Sequence, residues 1–366
     1  MTMDKKLLFI RYKKTANVFE GGEQGSQKNW TVLTGLLGEE NVTTYYIHDE
    51  SHKRTLGEYI KGAFWFPFGY FFGITPKRVK EIVSMARDYD FVFIDRSLFG
   101  IIAKKLKKSG FKGRIIAFFH NVEKLYFQAK LGHKPGSFIV TRCAWKNDGW
   151  SCRYADRIIA LNPRDAGVIE DMYGRKADAL VPVAFVDKYK QDSYPEGLTS
   201  KKPLCLFLGA YFGPNCEGIE WFAQNVYPNV DITMKIVGKG MAKIRENYRI
   251  PDDVEVVSDA PDLKPHFEEA DIMVLPIFKG SGMKVKTCES LMYGKNIIAT
   301  DEALEGYELD YSKMGGKCNS AQEFIDTIRL FIGNPRPKFN TYSRNTFLEK
   351  YSAEKVVDAF RDILYK

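Results

Sequence analysis

Short apolar runs alternate with longer amphipathic or polar stretches along this chain, and the alternation runs through twice. In the first half the runs Leu7–Tyr12, Val42–Ile47, Phe91–Asp95, Ile115–Phe119 and Ile158–Leu161 read as strands. Helical patterns lie between them, for example over Pro76–Asp88 and Leu98–Ser109. The pattern restarts with Leu204–Leu208, Thr233–Val237, Val254–Val257, Ile272–Pro276 and Asn296–Ala299. Strands that are apolar throughout, separated by helices, predict parallel sheets covered on both faces. The expected fold class is therefore α/β, with two Rossmann-like domains. Between the halves, Asp187–Lys202 is polar, carries Pro and Gly and lacks apolar periodicity, which predicts an interdomain linker. The expected domains are 1–186 and 203–341, with a helical tail over 342–366 returning to the first domain.

A chain of 366 residues exceeds what one hydrophobic core usually serves, which agrees with two domains. No apolar stretch reaches the length of a membrane-spanning helix, and no secretory leader is recognisable. Six scattered cysteines without a C-x-x-C pair suit reduced, structural thiols in a cytoplasmic protein. The charge is uneven. Residues 1–180 hold 30 Lys/Arg against 19 Asp/Glu, a net of +11, and the remainder hold 24 against 27, a net of −3. The asymmetry predicts that the first half meets an anionic partner such as a membrane surface, a phosphorylated acceptor or nucleic acid, unless it is simply a solvated basic face.

In open parallel sheets, ligands bind beyond the carboxyl ends of the strands. The densest signal at such a place is Pro276-Ile-Phe-Lys-Gly-Ser-Gly-Met-Lys-Val-Lys-Thr-Cys-Glu-Ser-Leu-Met-Tyr-Gly294. A strand ends at Pro276, Gly280 and Gly282 allow a tight turn, and a helix is expected from near Met283 to Gly294. A helix opened by such a turn presents free N–H groups and a positive dipole end, an anion site. Lys284 and Lys286 stand where cations disfavour a helix, a conflict that a bound diphosphate removes. Glu289, one turn on, can accept two hydrogen bonds from vicinal hydroxyls such as those of a ribose. The alternative is a surface helix with solvated lysines.

This segment, with Phe207-Leu-Gly-Ala, Pro214-Asn, Val237-Gly-Lys-Gly, Ala270-Asp-Ile and Ala299-Thr-Asp-Glu-Ala-Leu-Glu-Gly-Tyr307, resembles the donor domain of the retaining group 1 (family 4-like) glycosyltransferases. In the first half, Phe119-His-Asn-Val-Glu123 and Ala155-Asp-Arg-Ile-Ile-Ala-Leu-Asn-Pro-Arg-Asp165 are similar to the same family. The resemblance implies a GT-B fold, two Rossmann-like domains whose parallel sheets face across a cleft. It implies transfer of a sugar from a nucleotide-sugar donor, UDP-linked, to a glycan or lipid-linked acceptor in surface polysaccharide or glycolipid synthesis. By position it implies donor contacts from Gly21, Gly22, Gly209, Lys239, Val257, Ser281, Gly282, Met283, Lys284 and Glu289. His120 and Lys286 are implied at the reaction centre, and Glu123 near the acceptor. His120 could instead be a strand-end histidine satisfied by backbone, and Glu123 a solvated helix residue.

The chain departs from the family pattern twice. Ser281 stands where the first glutamate of the E-x7-E motif is expected, and Ala210–Gly218 lacks the family's early cations. If lysines neutralise the diphosphate no metal is required, so the expectation is a transferase without metal or cofactor, the nucleotide-sugar being a substrate. A nucleotide-sugar epimerase or a non-catalytic partner of the same fold are the competing readings. Phe64-Trp-Phe-Pro-Phe-Gly-Tyr-Phe-Phe72 holds seven aromatics in nine residues, with Lys53, Arg54, Lys61, Lys77, Arg78 and Lys80 around it. Rings flanked by cations predict contact of Trp65, Phe66 and Phe68 with an anionic inner membrane face, or else a core loop. Aromatic and basic residues can also bind single strands, but no nucleic-acid module accompanies them and none is expected as a partner.

Overall fold

A computed structural model describes residues 5–14, 21–49, 62, 64–71, 73–132, 134–189, 196–280 and 282–366. The chain forms two compact units, one of residues 1–182 with 356–366 and the other of residues 183–355.

The first unit holds six parallel strands: β1 (Leu7–Lys14), β2 (Val42–Asp49), β3 (Phe91–Ile94), β4 (Arg114–Phe119), β5 (Arg157–Ala160) and β6 (Ala179–Leu180). Their order across the sheet is β2-β1-β3-β4-β5-β6. β3 is buried along its whole length, as an interior strand of a doubly covered sheet must be. Phe9 stacks on Phe93 at 5.4 Å, and Phe118 and Phe360 lie on the same side. Phe360 belongs to the C-terminal helix Val357–Tyr365, whose last carbonyls accept from Arg114 at 2.8 and 2.9 Å. The returning segment therefore starts at Val356 rather than at residue 342, because residues before it pack in the second unit.

The second unit has β7 (Leu204–Leu208), β8 (Thr233–Gly238), β9 (Glu255–Ser258), β10 (Ile272–Leu275), β11 (Asn296–Ala299) and β12 (Gly315–Lys317). Their order is β12-β11-β10-β7-β8-β9, all parallel. The described part of the expected linker is packed into this unit. Arg344 grips Asp187 with two charge-assisted bonds of 2.6 and 2.9 Å, both side chains buried, and Thr199 N donates to the Arg336 carbonyl at 2.8 Å. Low apolar periodicity here reflects polar anchoring, not a free tether. β6 and β12 escape a reading of the sequence because two or three residues with no apolar run carry no periodicity.

Both sheets reverse direction once. In the first, the chain leaves β1 toward β2 and then returns to place β3 on the other flank. In the second, it leaves β7 toward β8 and returns to β10. Such switch points open a crevice at the strands' carboxyl ends, because the connections on either side diverge.

Candidate functional site

The crevice of the second unit lies beyond β7 and β10. After β7 comes the helix Gly213–Asn225, and after β10 the glycine turn leads to the helix Val285–Met292. The latter starts two residues later than expected and ends at Met292, with Gly294 left-handed (φ 59°) just past it. Neither helix has a side-chain cap, whereas Asn162, Thr300, Ser320 and Asn340 cap theirs. Asn215 N and Cys216 N turn back to the Phe212 carbonyl and Thr287 N to the Lys284 carbonyl, so no side chain covers either N-terminus. Gly282 adopts φ 65°, which lets the turn fold back. Gly218 is set by close approach: a Cβ there would lie 1.9 Å from the Pro276 carbonyl oxygen. Only glycine lets the first helix press against the end of β10.

Lys286 spans the crevice. Its Nζ donates to Asn215 Oδ1 at 2.5 Å and stands 4.9 Å over the Phe207 ring. It also comes close to Gly209, where a Cβ would meet it at 3.1 Å. A cation is thereby delivered to the loop after β7, which has none of its own. Part of the side chain remains accessible, but protein crowds the ammonium, and desolvation, with Lys284 beside it, pushes its pKa down to about 7. Lys284 is spent differently. Its ammonium donates to Glu302 Oε1 and to the Gly282 carbonyl, both at 2.7 Å, while Tyr307 donates to its carbonyl at 2.8 Å.

Glu289 is buried one turn beyond Lys286. Met283 turns its thioether inward, accepting from Val183 N at 3.4 Å. Gly209 N donates to the Val237 carbonyl and Tyr211 N to the Lys239 carbonyl, at 3.0 and 2.8 Å, so the β7 and β8 ends are zipped together. Val257 is half-buried at the end of β9, and beyond it Asp259 takes a left-handed φ of 57° while accepting from Gly240 N. Ser281 lies outside the described residues. Asn215 was missed as a site residue; its place just after the Pro at a helix start was the available signal.

In the first unit the crevice beyond β1 and β3 is lined by charged side chains. Gly21 and Gly22 open the helix Gly21–Leu37. His120, one residue past β4, is buried; its Nε2 lies 3.3 Å from Asp95 Oδ1, which also accepts from Asn29 Nδ2 at 2.7 Å. Carboxylate pairing, not backbone, satisfies this ring. Burial pushes the Asp95 carboxyl up, but His120, Ser26 and Asn29 outweigh it and hold it below its usual range. Glu123 is 1% exposed, so it is no solvated helix residue. Burial drives its pKa up to about 7, against the pull of Arg96 and Lys130. Asp148, accepting from Ser97 Oγ at 2.7 Å, is raised in the same way, with Glu123 adding to the effect. Arg11, inside β1 beside the end of β3, and Arg96, two residues past β3, were both missed.

The aromatic run is divided. Phe66 is a core residue, stacked on Phe71 at 5.5 Å, because the short helical turn Phe66–Phe68 aims it inward. Phe64, Trp65 and Phe68 are 68%, 36% and 56% exposed and touch one another edge-on or tilted. Lys53, Arg54, Lys61 and Phe72 lie outside the described residues. Among the described residues, no helix is long and apolar enough to cross a membrane.

A search of curated proteins by sequence found no match. Solved structures match over nearly the whole chain. Sucrose-phosphate synthase from Thermosynechococcus elongatus superposes with a TM-score of 0.74 at 13% identity, covering 98% of each chain. HepE from Anabaena, solved with UDP-glucose, gives 0.65 at 12%, covering 98% of this chain and 99% of its own. A glycosyltransferase from Rickettsia africae gives 0.64 at 12% over 100% of both chains. Residues 202–334 match the family described as Glycosyl transferases group 1. The second unit therefore carries a glycosyltransferase group 1 domain, and the chain has the GT-B fold of two Rossmann-like domains.

Proposed function

We propose that this protein transfers a hexosyl group, with retention and without a metal ion, from a UDP-sugar to a glycan or lipid-linked acceptor. The observation that carries the reading is Lys286, held across the second unit's switch point between two helix N-termini without side-chain caps. In the reaction the bond between the anomeric carbon and the β-phosphate oxygen breaks, and its electron pair stays on that oxygen. An acceptor hydroxyl oxygen bonds to the anomeric carbon and gives up its proton to the departing diphosphate oxygen. The charge that grows on the leaving diphosphate is met by fixed amides and one ammonium, the kind of preorganised stabilisation that lowers such barriers most. Glu289 would take the ribose hydroxyls, Val257 and Lys239 the base side, and Gly209, Gly282 and Met283 the phosphates. In the first unit, Gly21, Gly22 and His120 are assigned to the transferred sugar and Glu123 to the acceptor. HepE binds UDP and UDP-glucose, which supports the choice of base.

The test is a binding and hydrolysis screen of UDP-, GDP- and dTDP-sugars. Selective stabilisation by one nucleotide, with slow donor hydrolysis, is the expected result. Binding with no turnover over a broad acceptor screen would favour a non-catalytic partner, and interconversion of the free donor sugar an epimerase.

A second reading concerns location, in the cytoplasm and peripherally on the inner membrane face, in polysaccharide or glycolipid synthesis. It is favoured by the exposed Phe64–Trp65–Phe68 cluster on the basic half of the chain. Wild type should co-sediment with anionic vesicles at low salt and partly at high salt. A Trp65→Ser/Phe68→Ser double variant should stay folded and lose the salt-resistant part. Indifference of wild type to vesicles at low salt removes the membrane.

A further inference from the structure

Two lysines stand two residues apart at the glycine turn, and the fold secures them in opposite ways. Lys284 meets a carboxylate, Glu302, at 2.7 Å. Lys286 forms no ion pair among the described residues, and its ammonium donates instead to the neutral side chain of Asn215 at 2.5 Å. Glu217, two positions past Asn215, is engaged by Lys279 at 3.0 Å.

Asn215 is the third residue of the helix Gly213–Asn225. Its Nδ2 donates to the Ala210 carbonyl at 2.9 Å while its Oδ1 accepts from Lys286. An ammonium can only donate and a carbonyl oxygen can only accept, so the two neighbours fix the orientation of this amide. A carboxylate in its place would turn its second oxygen on the Ala210 carbonyl. The loop after β7 is tight around the pair: a Cβ on Gly209 would meet Asn215 Nδ2 at 3.0 Å and Lys286 Nζ at 3.1 Å. The Phe207 ring, 4.9 Å from the ammonium, packs against it as well.

What holds a lysine decides what the lysine can still do. A carboxylate neutralises an ammonium, whereas an amide oxygen takes one of its three N–H groups and leaves the charge unanswered. The stretch Ala210–Gly218 holds no Lys or Arg, so a cation at that loop has to come from another element. On the reading that the second unit binds a nucleoside diphosphate, we propose that Asn215 is a positioning residue, which holds the Lys286 ammonium at the β7 loop and leaves its charge to the diphosphate. Burial disfavours the charge on Lys286 and Lys284 adds to that, while Glu289 and Cys216 oppose them. Against this background the Asn215 oxygen favours the charged form, because it accepts from the ammonium. Loss of the acceptor should therefore bring deprotonation to lower pH, and a carboxylate at 215 should delay it to higher pH.

The experiment titrates UDP, and separately inorganic pyrophosphate, into the full chain by calorimetry across neutral and alkaline pH. Wild type is compared with Asn215→Ala and Asn215→Asp. Each profile is read against Lys286→Arg, which stays charged throughout and so reports the titration of the ligand itself. Asn215→Ala should weaken UDP about fivefold at pH 7 and move the midpoint of the affinity loss to lower pH. Asn215→Asp should move that midpoint up by about one unit or more, and weaken UDP at pH 7 because the carboxylate competes for the ammonium. An asparagine that merely braces the Ala210 turn would lower melting temperature and affinity and leave the midpoint where it is. The same midpoint in wild type and both folded variants overturns the proposal and leaves the donor reading intact. Binding of pyrophosphate without UDP overturns the nucleotide reading instead, and the pyrophosphate profiles then decide the role of Asn215 by the same criterion. Binding of neither overturns both.

Discussion

In the second unit the switch-point crevice is walled by main chain. Glycines bring strand ends and helix starts together, two N-termini stay open, and a single lysine supplies the mobile charge. In the first unit the equivalent crevice is walled by side chains, with two arginines, three carboxylates and a histidine interlocked and several atoms left unpartnered. Backbone amides make an anion site that does not depend on which side chains surround it, which suits a diphosphate common to every donor. Side-chain forks can be exchanged one at a time, which suits an acceptor that differs from enzyme to enzyme. On the proposed function, the same topology leaves one crevice generic and the other specific.

The sharpest way to break the comparison is Lys286→Ala. Loss of one charge-assisted bond of roughly 1.5–3 kcal/mol should weaken UDP binding by about ten- to a hundredfold, measured by calorimetry. Melting temperature should hold or rise, because the fold keeps this ammonium depressed to about 7 and gains nothing from its charge. The ammonium is half-charged near pH 7, almost fully charged well below it and lost as pH rises above it. UDP affinity should therefore fall between pH 7 and 9 in wild type but stay level in Lys286→Arg.

Next comes the backbone wall itself. Gly218→Ala places a Cβ against the Pro276 carbonyl, so a helix or a strand end must move. Denaturation should show a loss of about 1–3 kcal/mol, with UDP binding weakened although no ligand-facing side chain has changed.

The first unit should answer to pH instead. Glu123 has a folded pKa near 7, above its ordinary 4.5, so its penalty is absent below pH 4.5, grows between pH 4.5 and 7 and is complete above that. Glu123→Gln should stabilise the protein at pH 8 by on the order of 1–3 kcal/mol and leave it nearly unchanged at pH 4.5. Urea titrations at the two pH values check this; a uniform shift would mean that Glu123 is charged in the fold throughout.

The smallest effect is expected from Lys284→Ala. Its ammonium already answers Glu302 and the Gly282 carbonyl, so its removal should change UDP affinity only a fewfold. A loss as large as that of Lys286→Ala would mean that Glu302 releases it when donor binds.

The strands, their alternation with helices and the glycine turn were legible in the chain itself. Apolar runs such as Leu204–Leu208 and Asn296–Ala299 are buried on both faces and leave a local signature, and glycines at 280 and 282 announce a tight turn. The motifs also placed His120 just after a strand and Lys286 and Glu289 on the helix that follows the glycine turn, as the fold has them. What tertiary structure alone decided is pairing at a distance. Nothing near Lys286 in sequence reveals that it reaches Asn215, 71 positions earlier, or that Lys284 is held by Glu302. Arg11 and Arg96 become one cluster only because β1 and β3 lie side by side around the reversal of the sheet. Phe66 and Phe68 are two residues apart in one aromatic run, yet one is core and the other exposed, since a single helical turn points them opposite ways. Periodicity reports what a residue does for its own element. The charges that carry chemistry are placed by the sheet order, which local sequence does not encode.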